Sequence, residues 1–146
     1  MFLWLEKKDI FAIFVPKLVQ SEYEETRGGI VSQTPPKKIV VVTFWRSESG
    51  TEPVLDWLKS LTKDQRRIVG EDLKTVELGW PLGMPLVRSL GRGLWEVRIS
   101  LREGIARVIF KMVGHNMVLL HGFIKKKQKA PMQDLELAIK RAKSLE

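Results

Sequence analysis

Leu94-Trp95-Glu96-Val97-Arg98-Ile99-Ser100-Leu101 alternates apolar and polar side chains with a period of two. Successive side chains of a strand point to opposite faces. This octapeptide therefore reads as a strand with Trp95, Val97, Ile99 and Leu101 in a core and Glu96, Arg98 and Ser100 toward water. Working toward the C-terminus, Arg102-Glu103-Gly104 is a turn, and Ala106, Val108, Phe110 and Met112 then alternate with Arg107 and Lys111. A third run, Met117 to Ile124, follows a Gly114-His115-Asn116 turn. Connections this short imply an antiparallel meander. The registers that match apolar face to apolar face set either Arg98 or Ser100 opposite Arg107. In both, Glu96, Arg98 and Arg107 share a face, because the intermediate register would bury a charge beside Val108. Two Arg on neighbouring strands repel unless an anion or a carboxylate lies between them. A solvated face bridged by Glu96 and a phosphate site both satisfy that condition.

Toward the N-terminus the period is 3.6. Thr62 with Gln65 forms a capping box, and Leu61, Gln65, Ile68, Val69, Asp72, Leu73 and Val76 trace a mostly apolar stripe of a helix ending near Gly79. A shorter helix carrying Val54, Leu58 and Leu61 opens at Pro53, with Thr51 as the expected N-cap. Ile39 to Trp45 is a β-branched and aromatic run, hence a buried strand. At the other end a helix opened by Pro131 carries Leu135, Ala138, Ile139, Ala142 and Leu145 on one stripe, acidic residues early and Lys140, Arg141 and Lys143 late. Both charge clusters suit the helix dipole. The fold class expected is α+β: a strand, a helical hairpin, a mainly antiparallel sheet and a C-terminal helix.

Gly28, Gly29, Pro35 and Pro36 mark a boundary, giving an extension over 1–36 and a domain over 37–146. The apolar residues of the extension keep no consistent period. Its net charge is −1 and that of the domain +9, which together make the +8 of the chain. The positive excess favours a polyanionic partner, nucleic acid or an acidic protein surface. The chain of 146 residues has no Cys, which excludes disulfides, thiolate metal sites and cysteine nucleophiles, and only His115 and His121 supply imidazoles. No apolar run exceeds the six residues Ile10 to Val15, so no membrane span is expected. Met1 to Gln20, broken by Glu6, Lys7, Lys8 and Asp9, does not read as a secretory signal, and the cytoplasm is the expected compartment. No phosphate-cradling glycine loop, zinc-protease motif, nucleophile elbow or metal-binding carboxylate cluster is present. A reaction without a cofactor or metal is the expectation.

Lys125, Lys126, Lys127 and Lys129 form a cationic cluster at the end of the third meander strand. Charge runs are commonly solvated loops, but a cluster leading into a helix start also suits phosphate. His121, between Leu120 and Phe123, reads as a hydrogen-bonded sheet residue. Trp80, between Gly79 and Pro81, is a candidate to stack on a base.

Residues 37–145 resemble the HigB-like, phage-related branch of the RelE/ParE superfamily, the toxins of type II toxin–antitoxin modules. The resemblance is carried by Trp45 with Gly50 to Trp57, Leu90, Leu94 to Arg98, the strand from Arg107 to Phe110, and the string from Leu120 to Pro131. That last string is similar to the family's Gly-Phe-x-Lys-Lys-Thr-x-Lys-Thr-Pro segment, with Lys127 and Ala130 in place of Thr. The extension has no counterpart in the family pattern. The resemblance implies a RelE-like small domain that cleaves mRNA on the ribosome without a metal, the RNA's own 2′-hydroxyl attacking the adjacent phosphate. Arg98, Arg107, Lys125 and Lys126 fall at the family's basic positions and are the expected catalytic residues. Glu96 is the candidate base, and Lys125 or Lys126 the acid. Lys111, Lys127 and Lys129 are expected to bind RNA. Some relatives carry a C-terminal Tyr, whereas the one Tyr here is Tyr23 in the extension. The implied partners are a cognate helix-turn-helix, HigA-like antitoxin, the ribosome and mRNA. Two alternatives stand beside this reading: a ParE-like toxin that poisons gyrase by binding, and a basic nucleic-acid-binding protein without catalysis.

Overall fold

The computed structural model describes residues 40–125 and 132–146. The extension 1–36, with its boundary, lies outside the described residues, as do Lys126, Lys127, Lys129 and Pro131. Among the described residues eight elements follow one another: β1 (Val41–Phe44), α1 (Pro53–Ser60), α2 (Lys63–Gly79), β2 (Val87–Gly91), β3 (Leu94–Leu101), β4 (Gly104–Val113), β5 (Asn116–Lys125) and α3 (Met132–Lys143). The five strands form one mixed sheet in the order β1-β5-β4-β3-β2. β1 runs parallel to β5 and every other pair is antiparallel. This is the expected α+β architecture with its meander and C-terminal helix. Among the described residues no helix is long and apolar enough to cross a membrane.

Local sequence explains the helical hairpin. Thr62 Oγ1 accepts a hydrogen bond from Gln65 N at 3.2 Å, and Gln65 Oε1 accepts one from Thr62 N at 3.0 Å, closing the capping box of α2. α1 differs from the expectation. Its N-cap is Glu52, and the Thr51 hydroxyl instead lies 2.6 Å from the Ser47 hydroxyl, closing the turn before the helix. Pro53 starts the helix by its fixed φ, and the short-range competition from Ser47 takes the capping group away.

α1 and α2 cover one face of the sheet. There Val54, Leu58, Val69, Leu73 and Val76 meet Val97, Ile99, Ala106, Val108, Phe110 and Leu119, all buried. Trp80 belongs to this core: its ring stands edge-to-face against Trp95 at 5.1 Å and Phe110 at 5.4 Å, so it is not a free platform for a base. Gly122 is the notch that lets α1 approach, because a Cβ there would clash with the Trp57 ring. At the outer edge of β1, the Glu77 carboxylate at the end of α2 accepts from Val42 N at 2.8 Å, which occupies a backbone donor that an edge strand would otherwise expose.

The opposite face is not simply solvated. α3 packs on β4 and β5 there, and a second core gathers Leu94, Ile109, Val118 and Leu120 with Ala138 and Ala142. A β-bulge makes this possible: Ile109 pairs with His121 and Phe110 with Leu119, so Leu120 is the extra residue and joins His121 on the α3 side. Trp45 closes the far side, donating from Nε1 to Ser144 Oγ at 2.8 Å, with the Arg141 guanidinium 5.0 Å over its ring. Arg141 also donates to Leu120 O at 2.7 Å, and burial lowers its pKa.

Candidate functional site

The register between β3 and β4 sets Arg98 directly opposite Arg107. Strand alternation then lays out a grid on the face that α3 only partly covers. One row runs Arg88, Glu96, Ile109, His121 across β2 to β5, the next Arg98, Arg107, Phe123, and the last Ser100, Ile105, Lys125. Arg98 and Ser100 lie on β3, beyond the two strands on which α3 packs.

Glu96 departs from the expectation of a solvent-facing residue, being 2% exposed. Its Oε1 accepts from Arg107 Nη1 at 3.0 Å, and the Arg107 side chain is itself only 11% exposed. The carboxylate therefore answers the repulsion between the two guanidinium groups, as one of the two expectations required. It does so incompletely. Glu96 Oε2, Arg98 Nε and Arg107 Nε are all buried without a hydrogen-bond partner among the described residues. Buried polar atoms normally find partners, and a group left without one costs about 1–3 kcal/mol. Unused donors converging on one row leave capacity for an anion with several acceptor oxygens. Because Glu96 is enclosed, its contact is with Arg107, which makes it the group that fixes the Arg107 guanidinium.

Lys125 ends β5 in the row next to Arg107 and is half-buried. Lys111 is not brought to this group. It lies toward the other end of β4, opposite Leu94 and Val118, with Nζ 3.5 Å from the Glu146 carboxylate. Lys126, Lys127 and Lys129 fall outside the described residues. His121 is a tied sheet residue, as its pattern suggested: Nε2 lies 2.7 Å from Asp134 of α3, and its ring stacks on Phe123 with centroids 5.4 Å apart. Among the described residues no three His, Asp or Glu side chains converge as a metal site would need.

Sequence reading missed Arg88. It stands on β2 directly opposite Glu96 and is exposed, adding a third Arg to the face. The signal was present, since Gly91-Arg92-Gly93 between Leu90 and Leu94 is a hairpin turn, with Arg92 at a φ of 56° between two left-handed glycines. The strand before it went unread because only Val87 and Leu90 of its five residues are apolar.

Among known families, the model described as "Phage derived protein Gp49-like (DUF891)" matches residues 56–143. The match spans more than half of the chain and runs from within α1 to the end of α3, including Glu96, Arg98, Arg107 and Lys125. No curated protein matches the chain.

Proposed function

The chain belongs to the Gp49-like family of phage-derived proteins, part of the RelE/toxin–antitoxin-like group, and from that premise we propose that it is a HigB-like toxin, a ribosome-dependent mRNA endonuclease. The observation that carries the reading is the Arg98–Arg107 pair, held opposite in register with buried, unused guanidinium nitrogens beside an enclosed Glu96. A scissile phosphate supplies the acceptors this pair lacks. The RNA 2′-hydroxyl releases its proton to solvent as its oxygen bonds to phosphorus, the bond from phosphorus to the 5′-oxygen breaks, and the products are a 2′,3′-cyclic phosphate and a 5′-hydroxyl. Arg98 and Arg107 hold the non-bridging oxygens as charge builds on them, a contribution of roughly 10²- to 10³-fold per donor. Glu96 positions Arg107. Lys125 or Lys126 protonates the leaving 5′-oxygen, and Lys127, Lys129 and Arg88 hold flanking phosphates.

Such a toxin requires a partner that covers the basic face, and a helix-turn-helix antitoxin from the same operon with an acidic or amphipathic segment suits it. Expression of the chain alone is expected to arrest growth, with ribosome profiling showing cuts inside translated messages. Intact mRNA together with altered DNA supercoiling would instead establish a gyrase poison. Recovery of the chain alone from its native operon, with no growth defect, would overturn both the partner and the toxicity.

A further inference from the structure

An open cleft of about 370 Å³ lies at the edge of the sheet, lined by Asp72, Pro85, Leu86, Arg98, Ser100 and Ile105. It forms because β2 begins only at Val87, so the second half of β3 is an edge between α2 and the chain entering β2. Arg98 N still donates to Leu86 O at 2.8 Å, which fixes Leu86 beside the strand. The volume falls within the range of small-ligand sites, roughly 300–1,000 Å³.

The lining is divided by chemistry. Pro85, Leu86 and Ile105 supply apolar surface, while Asp72, Ser100 and Arg98 supply an acceptor, a hydroxyl and a guanidinium. Asp72 and Arg98 carry opposite charges, yet among the described residues no ion pair joins them, and Arg98 Nε is buried without a partner. Burial, and secondarily the charge of Glu71, raise the pKa of Asp72, as befits a carboxyl that no cation satisfies. Arg98 belongs to the cleft and to the Arg98–Arg107 row at once. A nucleotide whose phosphate sits on that row thus has its base within reach of the cleft.

We infer that the cleft is a nucleobase subsite for single-stranded RNA, selecting a base with an exocyclic amino group (adenine, cytosine or guanine) over uracil. This deepens and rests on the RNA-cleaving reading above. Single-stranded RNA is read by packing the faces of splayed-out bases and hydrogen-bonding their edges. Pro85, Leu86 and Ile105 meet the faces. The Asp72 carboxylate accepts from the amino group, as carboxylates do from amino-bearing bases, and Arg98 or Ser100 donates to a ring nitrogen or carbonyl oxygen. Uracil has no amino group and leaves Asp72 unsatisfied.

The test is a titration of the isotopically labelled full chain with the four ribonucleoside 5′-monophosphates, followed by backbone amide shifts, with inorganic phosphate as the control. The amino-bearing nucleotides are expected to shift Leu86, Ser100 and Ile105 and to bind more tightly than uridine monophosphate. In Asp72→Asn, checked for folding by circular dichroism, that preference should fall by roughly tenfold, the worth of one good polar contact to a base edge. Equal binding of all four, shifts reproduced by phosphate alone, or a preference unchanged in Asp72→Asn would overturn the inference. So would perturbation of the cleft by an acidic peptide and by no nucleotide, which would make it a protein contact. Failure to cleave ribosome-bound mRNA, by contrast, removes the nuclease reading and leaves the titration to decide the subsite.

Discussion

Truncating Arg107 removes the counterion of a carboxylate that is 2% exposed. Breaking a buried pair from one side costs about 3–5 kcal/mol, because the remaining charge stays desolvated. On a solvated face, which the alternation of β3 implies, the same change would cost little. Arg107→Ala is therefore expected to lose stability and catalysis together, and the two losses are separable. Adding Glu96→Gln removes the stranded charge, so the double variant should regain much of the stability in urea unfolding while its single-turnover cleavage with saturating ribosomes stays roughly 10²- to 10³-fold down. An unchanged rate in the folded double variant would remove Arg107 from the site. The shared face of Glu96, Arg98 and Arg107 was legible in the sequence because strand alternation has a fixed period. The enclosure of Glu96 was not, since it depends on side chains of neighbouring strands closing over it.

At the scale of elements, the motif His121-Gly122-Phe123 divides between the two faces of the sheet. His121 and Phe123 stack on the α3 side, while Gly122 receives the Trp57 ring of α1 on the other. Gly122→Ala forces a methyl group into that ring, and overpacking of this kind costs about 1–3 kcal/mol. A fall in Tm of several degrees is expected, and an unchanged Tm would show that α1 shifts freely on β5. The short strand β2 leads to a second prediction. Arg88 is an exposed point charge opposite Glu96, so Arg88→Ala should keep the fold, weaken ribosome binding, and reduce the slope of log affinity against log salt by roughly 0.7–0.9, the value of one phosphate contact. A salt slope equal to the wild type's would place Arg88 outside the RNA path. Capping chemistry made α2 readable to its first residue, because Thr62 and Gln65 act over three residues. β2 escaped because its evidence is pairing with β3, a relation between segments and not a property of either.

For the molecule as a whole, the edge cleft carries a stability cost that depends on pH. The Asp72 pKa is raised above its ordinary 3.8, first by burial and then by Glu71. The folded chain therefore binds more protons than the unfolded one just above that value, and stability falls as pH rises through the folded pKa. Asp72→Asn is expected to melt above the wild type at pH 7, with the difference closing as pH drops toward and below 3.8. A constant difference across that range would show that Asp72 is solvated and not a strained lining of the cleft. The gain in stability against the loss of base preference is the trade that binding sites commonly show. By itself the sequence determined the α+β class, the meander and the face that Glu96, Arg98 and Arg107 share, because periodicity, caps and short turns act over a few residues. Only the tertiary structure decided that Arg98 and not Ser100 stands opposite Arg107, that α3 covers part of the supposed solvent face, that Lys111 meets Glu146 and leaves the Arg group, and that Asp72 and Arg98, 26 positions apart in the chain, line one cleft. Each of these follows from the packing of distant segments, where burial changes what a charged side chain is worth.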